Sequence, residues 1–472
     1  MKIDKIKLNN EQLGFFRFGK LNKKYLLTNE TGEHLFLKPE LFKKFLEGKI
    51  SKKTKIYKEL LDKGLIKSES NIPSLISKYR EKNLFLFKAP SLHIIVVTLR
   101  CNHKCIYCQA SSRGMEEKKY DMSISTAKKV VDTIFSSPGQ LLSIEFQGGE
   151  PLANWKTVKF IIEYAIKKSI KTKKRLIMPL VTNLSLMDEK KYNFLIKHNV
   201  KICTSLDGPE ELHNKNRIYQ EGNSYQETIK WIKKAEDRKK NNPRLRINAL
   251  TTISKYSLKY PKEIVDEYIK WNIDDIHLRP LSFLGFSGKM QSTIGYSAQE
   301  FFIFWKKAMD YIIKKNLQGK IFSERGSRII LEKILTPQNP GFLDLRSPCG
   351  AGIGQLLYDY DGKVYTCDEG RMTGDDTFMI GNVNKDNYKK IISHPTIKTM
   401  CMASLLEDLP CDKCVYKPYC GVCPVQNYVL YKNIFPQLKK NERCVLHKKI
   451  FDYLFEKMEN KRIKKVFRQW IR

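Results

Sequence analysis

Apolar and polar positions alternate along the middle of the chain in two rhythms. Short apolar runs at 92–98, 142–146, 176–182, 201–206, 246–253 and 275–281 have the length and composition of buried strands. Between them, segments such as Ser125–Phe135, Thr157–Lys167, Tyr225–Ala235 and Lys262–Trp271 return an apolar residue every three or four positions, as one helix face does. Strands that alternate with helices imply a parallel sheet of right-handed crossover units. Six repeats over residues 91–335 predict an α/β fold, a partial (β/α)6 TIM-like barrel. In such a sheet, ligands collect at the carboxyl ends of the strands.

The flanks read differently. In residues 1–70, the runs Lys24–Asn29 and Glu33–Lys38 bracket the turn Glu30-Thr31-Gly32, a hairpin signal. Pro39 opens a helix through Phe42, Phe45 and Leu46, and a second spans about Tyr57–Leu65. Together they predict a small winged-helix-like module, followed by a linker over 71–90. Residues 340–447 are cysteine-dense and turn-rich, so their fold is expected to depend on metal. In 448–472, Phe451, Leu454, Phe455 and Met458 mark one face of a basic amphipathic C-terminal helix.

Composition narrows the function. The chain has 472 residues, 42% hydrophobic, which suits two or three domains and excludes wholesale disorder. No run approaches the roughly 18 apolar residues of a membrane span. The opening MKIDKIKLNNEQ has no apolar core of a secretory signal, so a cytoplasmic protein is expected. The formal charge of +36 raises nucleic acid or an acidic peptide as partner. No nucleic-acid recognition motif accompanies that charge, so specific binding of that kind is not expected.

Twelve cysteines in a reducing compartment point to metal rather than disulfides. Cys101, Cys105 and Cys108 form a Cys-x3-Cys-x2-Cys run after the first barrel strand, with Tyr107 before the last thiol. Three thiolates can hold a [4Fe–4S] cube and leave one iron open for chemistry. A zinc site is the alternative, since His103 lies inside the loop. The second strand ends in Gln147-Gly148-Gly149-Glu150-Pro151, where two glycines allow close backbone approach. The third ends in Thr182-Asn183 and the fourth in Ser205-Leu206-Asp207-Gly208-Pro209, followed by His213 and Arg217. His213 reads as a packing residue at a helix start, whereas the planar fork of an Arg suits a carboxylate. Cys349, Cys367, the run Cys411-x2-Cys414-x5-Cys420-x2-Cys423, and Cys444 form a third set. A zinc ribbon accounts for 411–423 alone but leaves Cys349, Cys367 and Cys444 unexplained. Cys203 and Cys401 stand outside these patterns.

The triplet with Gly148-Gly149-Glu150 resembles the radical SAM enzymes, in which the open iron chelates S-adenosylmethionine and one electron releases a 5′-deoxyadenosyl radical. That resemblance places the S-adenosylmethionine contacts at Tyr107, Gly148, Gly149, Glu150, Pro151, Thr182, Asn183, Ser205, Asp207 and Arg217. Leu184 stands where the family often has glycine in its Thr-Asn-Gly ribose contact. The later cysteines resemble a SPASM domain with two auxiliary [4Fe–4S] clusters, for three clusters in all. Carried across, Cys349, Cys367 and Cys423 would ligate the first, and Cys411, Cys414, Cys420 and Cys444 the second. Cys401 is a further thiol for the first. The family has three residues between its fifth and sixth cysteines; here there are two. YLLTNETGEHLFL and SLHIIVVTLRCNHKCIYCQAS resemble the radical SAM maturase of the His-Xaa-Ser system over about residues 12–447. This implies a ribosomally made peptide or protein substrate with a leader segment. Further partners are a second radical SAM enzyme and an electron donor such as flavodoxin or ferredoxin. The alternative is a formylglycine-generating enzyme of the anaerobic sulfatase-maturating type. No catalytic acid or base stands out; Glu369, two residues past Cys367, is the one carboxylate near a ligand to consider.

Overall fold

The computed structural model describes residues 8, 9, 11–239, 246–340, 343–437 and 441–471. Residues 1–7 and 10, most of the stretch read as lacking a secretory signal, lie outside the described residues.

The expected N-terminal hairpin is a three-stranded antiparallel sheet. β1 (Arg17–Leu21) pairs with β2 (Lys24–Thr28), and β2 with β3 (His34–Leu37). β1 was missed because Arg17, Gly19 and Lys20 interrupt its apolar pattern. α1 (Pro39–Leu46) starts at its proline, and α2 (Lys55–Asp62) starts at Thr54, whose hydroxyl accepts the Tyr57 N–H. α2 therefore begins and ends earlier than its apolar spacing implied, before Gly64 at φ +69°. Leu27, Leu37, Phe42, Phe45, Leu60 and Leu65 fill a core of the module's own.

The module docks on the cysteine-rich stretch and the C-terminal helices. Thr28 Oγ1 donates to the Val415 carbonyl at 2.7 Å, and Tyr419 Oη to the Gly32 carbonyl at 2.8 Å. Arg17 and Lys417, each with a side chain only 3% exposed, share Glu30 and Asp412 as ion-pair partners. α3 (Ile72–Lys82) follows and leaves Ile72, Ile76 and Tyr79 exposed on one face.

The central layer is one sheet in barrel order. β4 (Leu92–Thr98) leads to β5 (His103–Cys105) and α4 (Ile124–Phe135). β6 (Leu141–Gly148), α5 (Trp155–Thr172), β7 (Arg175–Ile177), β8 (Pro179–Val181) and α6 (Glu189–Lys197) follow. Then come β9 (Lys201–Ser205), α7 (Glu210–Asn216), β10 (Arg217–Tyr219), α8 (Ser224–Lys239), β11 (Ile247–Thr252) and α9 (Pro261–Lys270). β12 (Asp275–Ile276), β13 (Leu278–Arg279), α10 (Gln291–Ile294), α11 (Ala298–Leu317), β14 (Ser323–Glu324) and α12 (Arg325–Leu335) complete the core. The strand order β13-β11-β9-β8-β6-β4 is parallel throughout. The third and sixth expected strands are each split in two, the third around Met178, just before Pro179.

Ile144, Phe146, Ile202, Ile247 and Ala249 point outward into the core shared with the helices. By strand alternation, Glu145, Gln147, Cys203, Ser205 and Arg279 line the opposite, concave face.

The cysteine-rich region extends this sheet rather than standing apart. β15 (Gln355–Tyr358) adds in parallel to β4; α13 (Asp368–Met372) separates β16 (Lys363–Tyr365) from β17 (Met379–Asn382), and both strands continue antiparallel. α14 (Tyr388–Ile392), α15 (Pro395–Ala403) and α16 (Pro424–Tyr431) are short, joined by 3-10 turns. The expected single C-terminal helix is two: α17 (Glu442–Met458) and α18 (Lys461–Trp470). Asn460 caps the second by accepting the Arg462 and Ile463 N–H groups, and this breaks the run.

Candidate active site and cysteine sets

The loop after β4 is held to the end of β6 by main chain. Gly149 N donates to the Thr98 carbonyl at 2.9 Å and Glu150 N to the Arg100 carbonyl at 2.7 Å. A Cβ on Gly148 would lie 2.1 Å from the Thr98 oxygen, and one on Gly149 2.3 Å from the Arg100 oxygen. The two glycines thus admit the cysteine loop's own backbone, a reason the sequence reading assigned to a ligand.

Glu150 is buried, and its carboxylate binds protein. Oε1 accepts from Thr182 Oγ1 (2.7 Å) and Leu152 N (3.0 Å), Oε2 from Asn183 N (2.7 Å). It therefore joins the ends of β6 and β8, and Pro151 starts the turn beyond it. Leu184 adopts a left-handed backbone at φ +67°, with its side chain in the core. Side chains close the Thr182-Asn183 turn: Leu184 N donates to Thr182 Oγ1 and Ser185 N to Asn183 Oδ1.

β10 pairs antiparallel with β5 and sets Arg217 opposite Cys105. Arg217 Nη1 donates to Tyr107 Oη at 3.0 Å, and Tyr107 donates to Asp207 Oδ2 at 2.5 Å. Asp207 Oδ1 accepts Thr252 N from the next strand at 3.2 Å. Burial pushes the Asp207 carboxyl up while Arg217 opposes it. Burial works against the Arg217 charge, but Cys105, Tyr107 and Asp207 outweigh it and hold the guanidinium more firmly charged. Ser205 ends β9 on the concave face, two positions past Cys203.

Cys101, Cys105 and Cys108 act on one another electrostatically, and all twelve thiols are free. Burial pushes the Cys105 thiol up to about 11, against the pull of Arg217. His103, the residue that kept zinc open, uses both ring nitrogens on protein: Nδ1 meets Asn183 Nδ2 (2.9 Å) and Nε2 meets Ser224 Oγ (2.9 Å). It also stacks on Tyr219, 4.6 Å between ring centres. His213 reaches the same Ser224 hydroxyl at 3.0 Å and accepts Asp207 N at 3.3 Å, so it orders the loop. The signal for this web was missed, since Asn102, Ser224 and Tyr219 carry no motif.

The remaining cysteines fall into two groups. Cys349, Cys367 and Cys423 are buried in one small cluster with Met400, Phe378 and Val425. Cys411, Cys414, Cys420 and Cys444 influence one another's ionisation, each within reach of another of the four. Cys401 joins neither group among the described residues: its neighbour Met400 faces the first set, and only burial shifts its thiol. Thiolates of a [4Fe–4S] cube bind separate irons at its corners. No three His, Cys, Asp or Glu side chains among the described residues converge on one point as ligands of a single metal ion would. The donor set, free thiols in threes and fours, fits iron–sulfur clusters. Glu369 lies close to Cys367 and Cys423, and burial with its neighbour Asp368 pushes its carboxyl well up. Asp368 was not singled out in the sequence; it accepts from Gln355 Nε2 at 2.8 Å and faces Glu145 electrostatically.

Residues 95–268 match the Radical SAM superfamily model. Among curated proteins, the chain is 23% identical to the cysteine-type anaerobic sulfatase-maturating enzyme of Clostridium novyi, over 71% of this chain and 87% of that protein. It is 25% identical to the radical SAM cyclopropyl synthase TigE of Paramaledivibacter caminithermalis, over 78% and 74%. Among solved structures it resembles native anSMEcpe with bound AdoMet: TM-score 0.67, 21% identity, 80% of this chain and 100% of that one. Streptococcus suis SuiB bound to precursor peptide SuiA gives TM-score 0.55 and 17% identity, over 91% and 100%. These likenesses show an α/β radical SAM fold with a partial barrel. No helix among the described residues is long and apolar enough to cross a membrane.

Proposed function

We propose that this chain is a radical SAM maturase that modifies a ribosomally made peptide, of the His-Xaa-Ser repeat type. The observation that carries this is the joining of the Cys101–Cys108 loop to the Gly148-Gly149-Glu150 end of β6, over a concave face where Glu145 and Gln147 lie beside Ile94 and Val96. When bound on that loop, a [4Fe–4S] cluster supplies the electron that cleaves S-adenosylmethionine. Arg217 offers its fork to the carboxylate of that molecule, while Tyr107 and Asp207 fix the Arg217 position. Gly148, Gly149 and Pro151 at the end of β6, and Thr182, Asn183 and Ser205 at the ends of β8 and β9, are the residues that would hold the rest of it. Glu145, on the concave face with its carboxyl pushed up by burial, is placed to hold a proton beside a substrate residue there. In this reading Cys349, Cys367 and Cys423, with Cys411, Cys414, Cys420 and Cys444, carry two auxiliary clusters of a SPASM domain.

The N-terminal module, read as winged-helix-like, docks the leader. β1 and β3 are both edge strands, to which an extended peptide can add through main-chain hydrogen bonds. The SuiB structure with its precursor peptide supports a peptide substrate. A cytoplasmic setting, a flavodoxin- or ferredoxin-class donor and a second radical SAM enzyme complete the reading. The second reading is formylglycine formation on a sulfatase, favoured by the anaerobic sulfatase-maturating relatives. Co-expression with a small peptide encoded nearby, followed by mass spectrometry, tests the two. A mass change on that peptide supports the first reading. A sulfatase peptide converted at Cys or Ser, with no change on the neighbour peptide, overturns it.

A further inference from the structure

The four thiols Cys411, Cys414, Cys420 and Cys444 share their surroundings with a side chain that no motif marked. His447 lies three positions past Cys444 on α17, so both project from one helix face. Its Nδ1 is 3.6 Å from Cys420 Sγ. The helix is pinned there: Asn441 Oδ1 accepts the Cys444 N–H at 3.0 Å, and Arg443 forms an ion pair with Asp344. The Lys333 amine, 2% exposed and bonded to the Leu345 carbonyl, also acts on the Cys420 sulfur. Cys420 therefore faces a ring nitrogen and a buried amine, whereas Cys367 takes the backbone N–H of Gly370 at 3.3 Å and has the Glu369 carboxyl close by.

We propose that His447 is a positioning residue for the auxiliary cluster on these four thiols. Its Nδ1–H donates to the Cys420 sulfur and raises the reduction potential there. The proposal rests on the auxiliary-cluster reading above. A donor to a ligating sulfur withdraws electron density and stabilises the reduced form, one of the levers by which proteins set such potentials. The couple is the one-electron 2+/1+ couple of a [4Fe–4S] centre. One electron arrives from a low-potential donor, no proton moves, and no bond to the protein forms or breaks.

The test uses the full chain with Cys101→Ala, Cys105→Ala and Cys108→Ala, which leaves the auxiliary sites only. After anaerobic reconstitution, dithionite titration is followed by electron paramagnetic resonance. In His447→Leu, the reduced-to-oxidised ratio of one cluster at a fixed poise is expected to fall about tenfold, ~59 mV for one electron. Iron is expected to stay at about eight per chain. His447→Asn sets an amide N–H near the Nδ1 position and is expected to recover most of the ratio. An unchanged ratio in His447→Leu overturns the proposal. So does a fall to about four iron in that variant, which would make His447 a ligand. If the parent triple variant itself holds no cluster pair, the auxiliary-cluster reading fails and takes the proposal with it. Iron measured before any titration separates these failures.

Discussion

The barrel loop and the cysteine-rich stretch hold their thiols by opposite means. Cys101, Cys105 and Cys108 lie in a loop that the sheet has already positioned: β5 pairs with β10, and main-chain bonds tie the loop to β6. Tyr107, His103, Asp207 and Arg217 complete a web of hydrogen bonds between protein groups. Cys411 instead sits on a 3-10 turn of four residues, and Cys414 and Cys420 directly follow two such short turns, backed by the N-terminal module and α17. Such short turns carry little hydrogen bonding of their own. The difference teaches that the barrel loop is ordered by the sheet it belongs to, whereas the later thiols borrow their order from distant segments.

The largest effect would come from exchanging thiols in the two regions. Replacing Cys101, Cys105 and Cys108 together by alanine is expected to abolish 5′-deoxyadenosine formation while the melting temperature stays close to that of the metal-free parent. Cys414→Ala is expected to keep part of that cleavage and lose peptide modification. Chromatography of 5′-deoxyadenosine beside mass spectrometry of the peptide checks both, and surviving cleavage in the triple variant would break the comparison at its root.

Metal removal should separate the regions next. Chelated protein is expected to be cut by a dilute protease first within 404–423, with the 92–335 core persisting. Simultaneous loss of both regions on the gel would mean that the later turns are as self-sufficient as the barrel loop.

Two tyrosines sharpen the contrast. Tyr107→Phe removes the hydrogen bonds to Asp207 and Arg217, a loss of about 1–3 kcal/mol that should weaken S-adenosylmethionine binding roughly 5- to 150-fold. Tyr416→Phe removes the bond to Asp452 and is expected to lower stability while leaving that affinity unchanged. Calorimetric titration and thermal melts of both variants would read the pattern; equal effects on affinity would contradict it.

The smallest effect concerns how the N-terminal module is braced. Burial would raise the Glu33 carboxyl, but hydrogen bonds and charge from Lys78 (2.6 Å) and Lys63 (3.1 Å) outweigh it and hold it below its usual value of 4.5. A depressed folded value means that this stabilisation is present above about pH 4.5 and fades as pH falls through the lower folded value. Glu33→Gln should cost ~1 kcal/mol at pH 7 and less in acid. An identical difference in urea melts at both pH values would refute the assignment.

Much of the site could be read directly because its chemistry is local. Thiol spacing, the paired glycines and the apolar rhythm of β4, β6, β9 and β11 depend on neighbours a few residues apart, and such patterns survive in a linear string. β1 and the split of the C-terminal helix at Asn460 escaped because one weak strand and one cap carry little apolar signal. What escaped at the site was long-range. The contact of Arg217 with Tyr107 spans 110 positions, and that of His103 with Ser224 spans 121.

The sequence by itself determined the strand–helix alternation, the kind of donor atoms and the order in which strand ends reach the site. Tertiary structure alone decided that Glu150 spends its carboxylate on Thr182 and Asn183. It also decided that Met400 rather than Cys401 faces Cys349, Cys367 and Cys423, and that Thr28 and Arg17 brace the turns around Cys411. The physical reason is that periodicity fixes which face a residue occupies, whereas a buried polar group takes the partner that packing brings within hydrogen-bond reach.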